Sequence, residues 1–145
     1  MGRSAFLLSL LTVALLVSGC GQPAEESPAA TESIAWLNDY EDAVAAAEQS
    51  SKPLMVDIST PWCSACKRLD ESVFSRGDVA EESRQFVAVR VNGDERADLV
   101  RKLAVTGYPT VVFLSADGKE TARVRGAVPY QMMLDAMKKA AQEAT

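Results

Sequence analysis

Apolar positions along the chain change their spacing, and each change marks a different kind of segment. Residues Ala5–Val17, AFLLSLLTVALLV, form an uncharged apolar run, whereas GQPAEESPAATES (Gly21–Ser33) has no large apolar residue. From Ile34 onward apolar residues recur at strand or helix spacing. IAWL reads as a short edge strand. Asp39 is suited to cap a helix over YEDAVAAAEQ, where Tyr40, Val44 and Ala47 share a face. Lys52-Pro53 stops that helix, and LMVDIS (Leu54–Ser59) is a compact apolar strand. Pro61-Trp62 leads into a helix running to about Phe74, with Cys66, Leu69 and Val73 at helical spacing.

QFVAVRVN (Gln85–Asn92) alternates Phe86, Ala88 and Arg90 against Val87, Val89 and Val91, as a strand does. ERADLVRKLAV puts Leu99, Val100 and Leu103 on one helical face. TVVFLS and ETARVRGA flank Ala116-Asp117-Gly118-Lys119, and Asp-Gly between two strand-like runs signals a hairpin. A last helix, from about Tyr130 to Ala144, is expected to bury Met133, Leu134 and Met137. Alternating strands and helices imply early parallel pairing, and the hairpin adds an antiparallel pair. The expected class is therefore α/β, with a central mixed β-sheet flanked by helices.

A length of 145 residues fits one such domain, at 34–145, plus an appendage. Thirteen residues are short for a permanent bilayer span but suit the core of a signal peptide, which the chain is expected to carry at 1–19. Ser18-Gly19-Cys20 resembles a bacterial lipobox, with Val17 where leucine is more usual. That resemblance implies cleavage before Cys20 and lipid on its sulfur and new N-terminus. Segment 20–33 then becomes a flexible tether, too polar to offset its chain entropy by burial. Extended, its thirteen residues after Cys20 reach about 45 Å, and relaxed about 20 Å. Gly21, not Asp, follows the lipidated cysteine, which by resemblance to Gram-negative lipoproteins favours the outer membrane. The implied address is a membrane surface facing the periplasm or the cell exterior.

The formal charge is -5 and no basic cluster occurs, so nucleic acid is not an expected partner. The chain has no histidine, which removes His-based acid/base chemistry and His-containing metal sites. Chemistry concentrates instead in Trp62-Cys63-Ser64-Ala65-Cys66-Lys67. Two cysteines so spaced suit a redox couple, half a zinc site or a structural staple. Zinc needs four ligands, and neither a histidine nor a second CxxC completes the set, so no metal is expected. A structural disulfide here closes too short a loop to stabilise much. Of three cysteines, lipidation of Cys20 leaves a closed pair.

The chain resembles the thioredoxin-like fold family across roughly Ile34 to Ala144. The resemblance rests on the strand-borne Val56-Asp57 before the CxxC, on WCSACK, on VRVNGD, on VTGYPT and on FLSADGKE. WCSACKRLD and GYPTVVFL look most like the C-terminal periplasmic domain of DsbD-type thiol reductases and exported thioredoxin-like lipoproteins. It implies a thiol–disulfide oxidoreductase whose only redox group is the Cys63–Cys66 disulfide, with no other cofactor. A cysteine at a helix start meets free N–H groups and the positive end of the helix dipole, which lower its pKa. Cys63 is thus assigned as the nucleophile, and Cys66, one turn on, as the resolving thiol.

Asp57 matches the buried acid that moves the proton of the second cysteine, and burial is expected to raise its pKa. Asp70 falls where the DsbD-type domain has a second acid, although an exposed helix charge accounts for it equally well. Pro109 matches the cis-proline facing the CxxC, with Tyr108 pairing its backbone to an extended substrate. Trp62 is expected to shield the disulfide edge, and Lys67 completes the motif. Implied partners are protein disulfides, or apocytochrome c cysteines, and a membrane thiol electron donor of DsbD/CcdA type. Alternatives are a disulfide oxidase or isomerase, or a tethered binding module with incidental redox chemistry. A monomer is expected.

Overall fold

The computed structural model describes residues 33–144. The signal segment, Cys20 and all of the tether except Ser33 lie outside the described residues. Five strands, β1 Trp36–Leu37, β2 Leu54–Ser59, β3 Val87–Asn92, β4 Thr110–Leu114 and β5 Glu120–Arg125, form one sheet. Five α-helices accompany it: α1 Tyr40–Ser50, α2 Ser64–Leu69, α3 Gly77–Ser83, α4 Ala97–Lys102 and α5 Tyr130–Glu143.

The sheet order is β1-β3-β2-β4-β5. β1, β2 and β3 run parallel, whereas β4 is antiparallel to both β2 and β5. Both faces of β2 are covered, which is why LMVDIS reads as a nearly continuous apolar run. Leu54, Val56 and Ile58 point to one face, packing with Val89, Val91, Val112, Tyr40, Ala43, Leu99 and Leu103 under α1 and α4. Met55 points to the other, with Val111, Phe113, Leu69, Val73, Val79, Met133 and Met137 under α2, α3 and α5. Strand side chains alternate between faces, so Asp57 shares the face of Met55 and faces the layer of α2.

Local chemistry sets the element ends. Asp39 caps α1, accepting from the Asp42 N–H at 2.9 Å, and Ser51 closes it in the left-handed region at φ 53°. In the β4–β5 hairpin the Ser115 N–H donates to the Lys119 carbonyl at 2.8 Å, and Gly118 supplies the positive φ of 86°. Three details depart from the sequence expectation. The CxxC helix ends as α at Leu69 and continues to Phe74 as one π-helical turn. α3 was not anticipated: GDVAEES opens on glycine and offers only Val79 and Ala80 as apolar anchors, and packing over the core fixes it. In α5, Ala140 is fully buried with Met133 and Met137, while Leu134 stays partly exposed at the layer's edge.

Candidate functional site

The site forms where β2 ends and α2 begins. The Thr60 carbonyl accepts the Cys63 N–H at 3.2 Å, turning the chain so that Cys63 becomes the N-cap of α2. Its Sγ accepts the Cys66 N–H at 3.1 Å. Cys63 and Cys66 are joined as a disulfide, and both are buried. A backbone donor aimed at Sγ favours negative charge there once the bond is opened, since unpaired N–H groups at a helix start stabilise anions.

Next to this loop Trp62 is 68% exposed. Its indole N–H donates to Asp94 Oδ2 at 2.9 Å, and its ring meets Tyr108 edge-on with centroids 5.9 Å apart. The Tyr108–Pro109 peptide bond is cis. Tyr108 lies directly over Gly93: a Cβ added there comes within 2.5 Å of the tyrosine hydroxyl oxygen. Residue 93 therefore has to lack a side chain for the Trp62–Tyr108 arrangement to exist.

Below the cysteine helix, Asp57 is 3% exposed. Its Oδ2 accepts from Arg90 Nε at 3.2 Å, and Arg90 Nη2 also donates to Asp70 Oδ1. The guanidinium lies over the Trp36 ring at 4.5 Å, which ties the edge strand to the acid pair. Burial pushes the Asp57 carboxyl up to about 6; the Arg90 charge opposes the rise, and the nearby Asp70 charge adds to it. Desolvation outweighs the ion pair because Asp57 is enclosed while Arg90 keeps 32% of its side chain in solvent.

A cleft of about 450 Å³ opens beside Cys66, lined by Lys67, Asp70, Arg90, Ser59 and Thr60 among others. A second one, of about 420 Å³, lies away from the cysteines among α1, α4 and the hairpin, and includes Tyr40, Lys102 and Arg123. Among the described residues no cluster of three potential metal ligands occurs.

The structure thus brings Cys63, Cys66, Trp62, Tyr108 and Pro109 to one end of the sheet. Arg90 joins Asp57 to Asp70, and it lines one cleft with Cys66, Lys67 and Asp70. Cys20 lies outside the described residues. Sequence reasoning missed Arg90 as a site residue, although the signal was present. An arginine falls on the strand face that Phe86 and Ala88 bury, and a charge there needs a partner. Asp94 and Gly93 were also missed; their roles depend on where Trp62 and Tyr108 meet, which spacing does not show.

A family model described as a thioredoxin-like domain matches residues 40–141. Among curated relatives, the thiol:disulfide interchange protein DsbD of Yersinia enterocolitica is 34% identical over 137 residues, covering 84% of this chain and 23% of that protein. DsbD of Cronobacter sakazakii is 36% identical over 114 residues, covering 73% and 20%. The chain therefore spans only about a fifth of the length of these relatives. Among solved structures, a thioredoxin from Thermus thermophilus superposes with a TM-score of 0.71 at 27% identity, covering 77% of this chain and 90% of that one. A DsbH oxidoreductase superposes with a TM-score of 0.67 at 21% identity, covering 84% and 94%, which speaks to the fold alone. With a Cys63–Cys66 disulfide at the start of α2 and the matched domain spanning most of the chain, this protein belongs to the thioredoxin-like family.

Proposed function

We infer that the protein is an extracytoplasmic reductase, tethered to a membrane by lipid on Cys20, that gives two electrons to protein disulfides or to apocytochrome c cysteines. The observation that supports this reading is a buried cysteine pair whose first member caps α2, over a sheet face that holds a buried carboxyl raised by burial to about 6. In the reduced protein the Cys63 thiolate attacks a substrate disulfide and forms a mixed disulfide, releasing one substrate thiol. Cys66 gives up its proton to Asp57 and attacks Cys63 Sγ, which forms the Cys63–Cys66 bond and releases the second thiol. Asp57 acts as general base, and its raised pKa suits proton transfer near neutrality.

Two features support electron donation over oxidation. Ser64 and Ala65 bring no charge between the cysteines, so the thiolate lacks a stabiliser that would make the disulfide strongly oxidising. The relatives named above are thiol:disulfide interchange proteins, and the resemblance of WCSACKRLD and GYPTVVFL to the periplasmic domain of DsbD-type thiol reductases favours the reducing direction. In an oxidising compartment the protein then needs re-reduction by a membrane thiol donor of the DsbD/CcdA type. Insulin turnover tests the reading. With dithiothreitol as the electron source, the protein is expected to accelerate reduction of insulin disulfides. A reduced protein that leaves insulin intact while Cys63–Cys66 stays reduced contradicts it.

The Trp62–Tyr108 surface beside the cysteines is the docking face for an extended substrate. Gly93→Ala drives a Cβ into the Tyr108 ring and displaces it from Trp62. The expected outcome is a several-fold rise in KM for insulin with kcat little changed. The rate with dithiothreitol alone should stay the same, because so small a thiol does not use the groove. Steady-state kinetics with both reagents checks this.

A further inference from the structure

The chain enters its sheet at the end away from the disulfide. Trp36 of β1 pairs with Ala88 of β3, and Ala88 pairs with Met55 near the start of β2. Ser33, just upstream, borders a groove with Lys52, Arg84 and Phe86, the residues that lead into β2 and β3. Cys63 follows the other end of β2, past Ser59 and the turn at Thr60. Because β1, β2 and β3 run parallel, Leu54 and Ser59 already stand about 17 Å apart along the strand, and the turns add to this at both ends. Residues 33–144 have the radius of gyration of an ordinary domain, about 13 Å, and a sphere of that size is about 34 Å across. The redox end and the start of the domain therefore lie roughly a domain's width apart.

We propose that the length of segment 21–33 decides which partners the redox face meets. With the start of the domain toward the anchoring membrane, Cys63 and Trp62 face away from it, toward soluble disulfides or an opposing surface. Exchange with a thiol partner in the same membrane needs the domain inverted, which lifts Ser33 about 34 Å above the bilayer. Thirteen residues after Cys20 span at most about 45 Å, so they allow inversion with about three residues to spare. Delivery of electrons to soluble acceptors and recharging at the membrane then use opposite poses of one domain. The proposal rests on Cys20 as the lipid anchor, and it is independent of the physiological direction of electron flow.

A lipid-borne disulfide serves as the probe: phosphatidylcholine vesicles containing phosphatidylethanolamine with a pyridyl disulfide on its headgroup. The lipidated protein, reduced beforehand and freed of reductant, is reconstituted either in these vesicles or in separate probe-free ones. The Cys63 thiolate attacks the lipid-side sulfur, and pyridine-2-thione leaves with the electron pair and takes up a proton. Cys66 then loses its proton to solvent and attacks Cys63 Sγ, which forms the Cys63–Cys66 bond and releases the lipid thiol. Two electrons pass from the cysteines to the probe, and thione absorbance reads the rate.

Deleting residues 25–30 leaves seven residues after Cys20, a reach of about 24 Å, which is less than the width of the domain. That variant is expected to react at least tenfold more slowly than the wild type with probe in its own vesicle. Its rates with probe on separate vesicles and with a soluble pyridyl disulfide should be unchanged, because the redox face still points outward. A Gly-Ser run of equal length put back in place of residues 25–30 should restore the same-vesicle rate, which separates length from sequence. An undiminished same-vesicle rate after the deletion overturns the proposal. So does an equal fall in all three rates, or a Gly-Ser variant as slow as the deletion. Protein that does not float with vesicles defeats the lipid-anchor reading and the proposal with it. Insulin turnover needs no membrane, so it reports on the reductase reading separately.

Discussion

Cys63→Ser is expected to abolish insulin reduction, while Cys66→Ser stops the reaction one bond later. Without Sγ at residue 63 nothing attacks the substrate, and the loss should reach the level of the uncatalysed thiol reaction. Cys66→Ser keeps the N-capping nucleophile and its helix-start surroundings but has no thiol to resolve the intermediate. It should accumulate a covalent complex through Cys63 that dithiothreitol releases. Non-reducing electrophoresis and mass spectrometry of the trapped species check this, and trapping in cells identifies the partners. Equal trapping by both single variants contradicts the assigned order of attack.

Asp57→Asn is expected to separate catalysis from stability. At pH 7 the resolving step should slow by about 10²-fold or more, because the base that takes the Cys66 proton is gone. The wild-type rate should rise with pH through about 6 as Asp57 ionises, and the variant should lose that limb. Stability should move the other way. Folding raises the Asp57 pKa from 3.8 to about 6, so the folded state holds the proton more tightly than the unfolded one. The stabilisation by that proton is full below pH 3.8 and lost as pH rises through about 6, amounting to about 3 kcal/mol. The variant never carries that charge. At pH 8 it should unfold at higher denaturant than the wild type, and near pH 4 the two should converge. Arg90 keeps Asp70 and the Trp36 ring as partners, which limits the opposing cost. Urea titrations at both pH values read the effect.

Most of the sheet was legible because its signals are local. β2 is an apolar run bounded by Lys52-Pro53 and Pro61, β3 alternates, and Asp117-Gly118 fixes the β4–β5 turn. Their order is not local. Nothing in the residues around Thr110 shows that β4 returns antiparallel beside β2, and that pairing puts Val111 opposite Asp57 and cis-Pro109 at the end of the strand bearing the acid. α3 stayed hidden for the opposite reason, since it has almost no amphipathic pattern and forms because the core offers Val79 and Ala80 a place. Within the site, the cysteines, Asp57 and the Tyr108-Pro109 dipeptide were readable from type and spacing. The Asp57–Arg90–Asp70 bridge and the Trp62–Asp94 bond join residues at least 20 apart in sequence, and only the folded chain brings them into contact.

The most direct test of the reductase account is the equilibrium reduction potential of Cys63–Cys66, titrated in dithiothreitol or glutathione buffers at pH 7. The account predicts a value below about -200 mV, in the range of thioredoxins and other reducing CxxC proteins. A value above about -150 mV, toward the strong oxidants, would place the protein on the disulfide-forming side and contradict it.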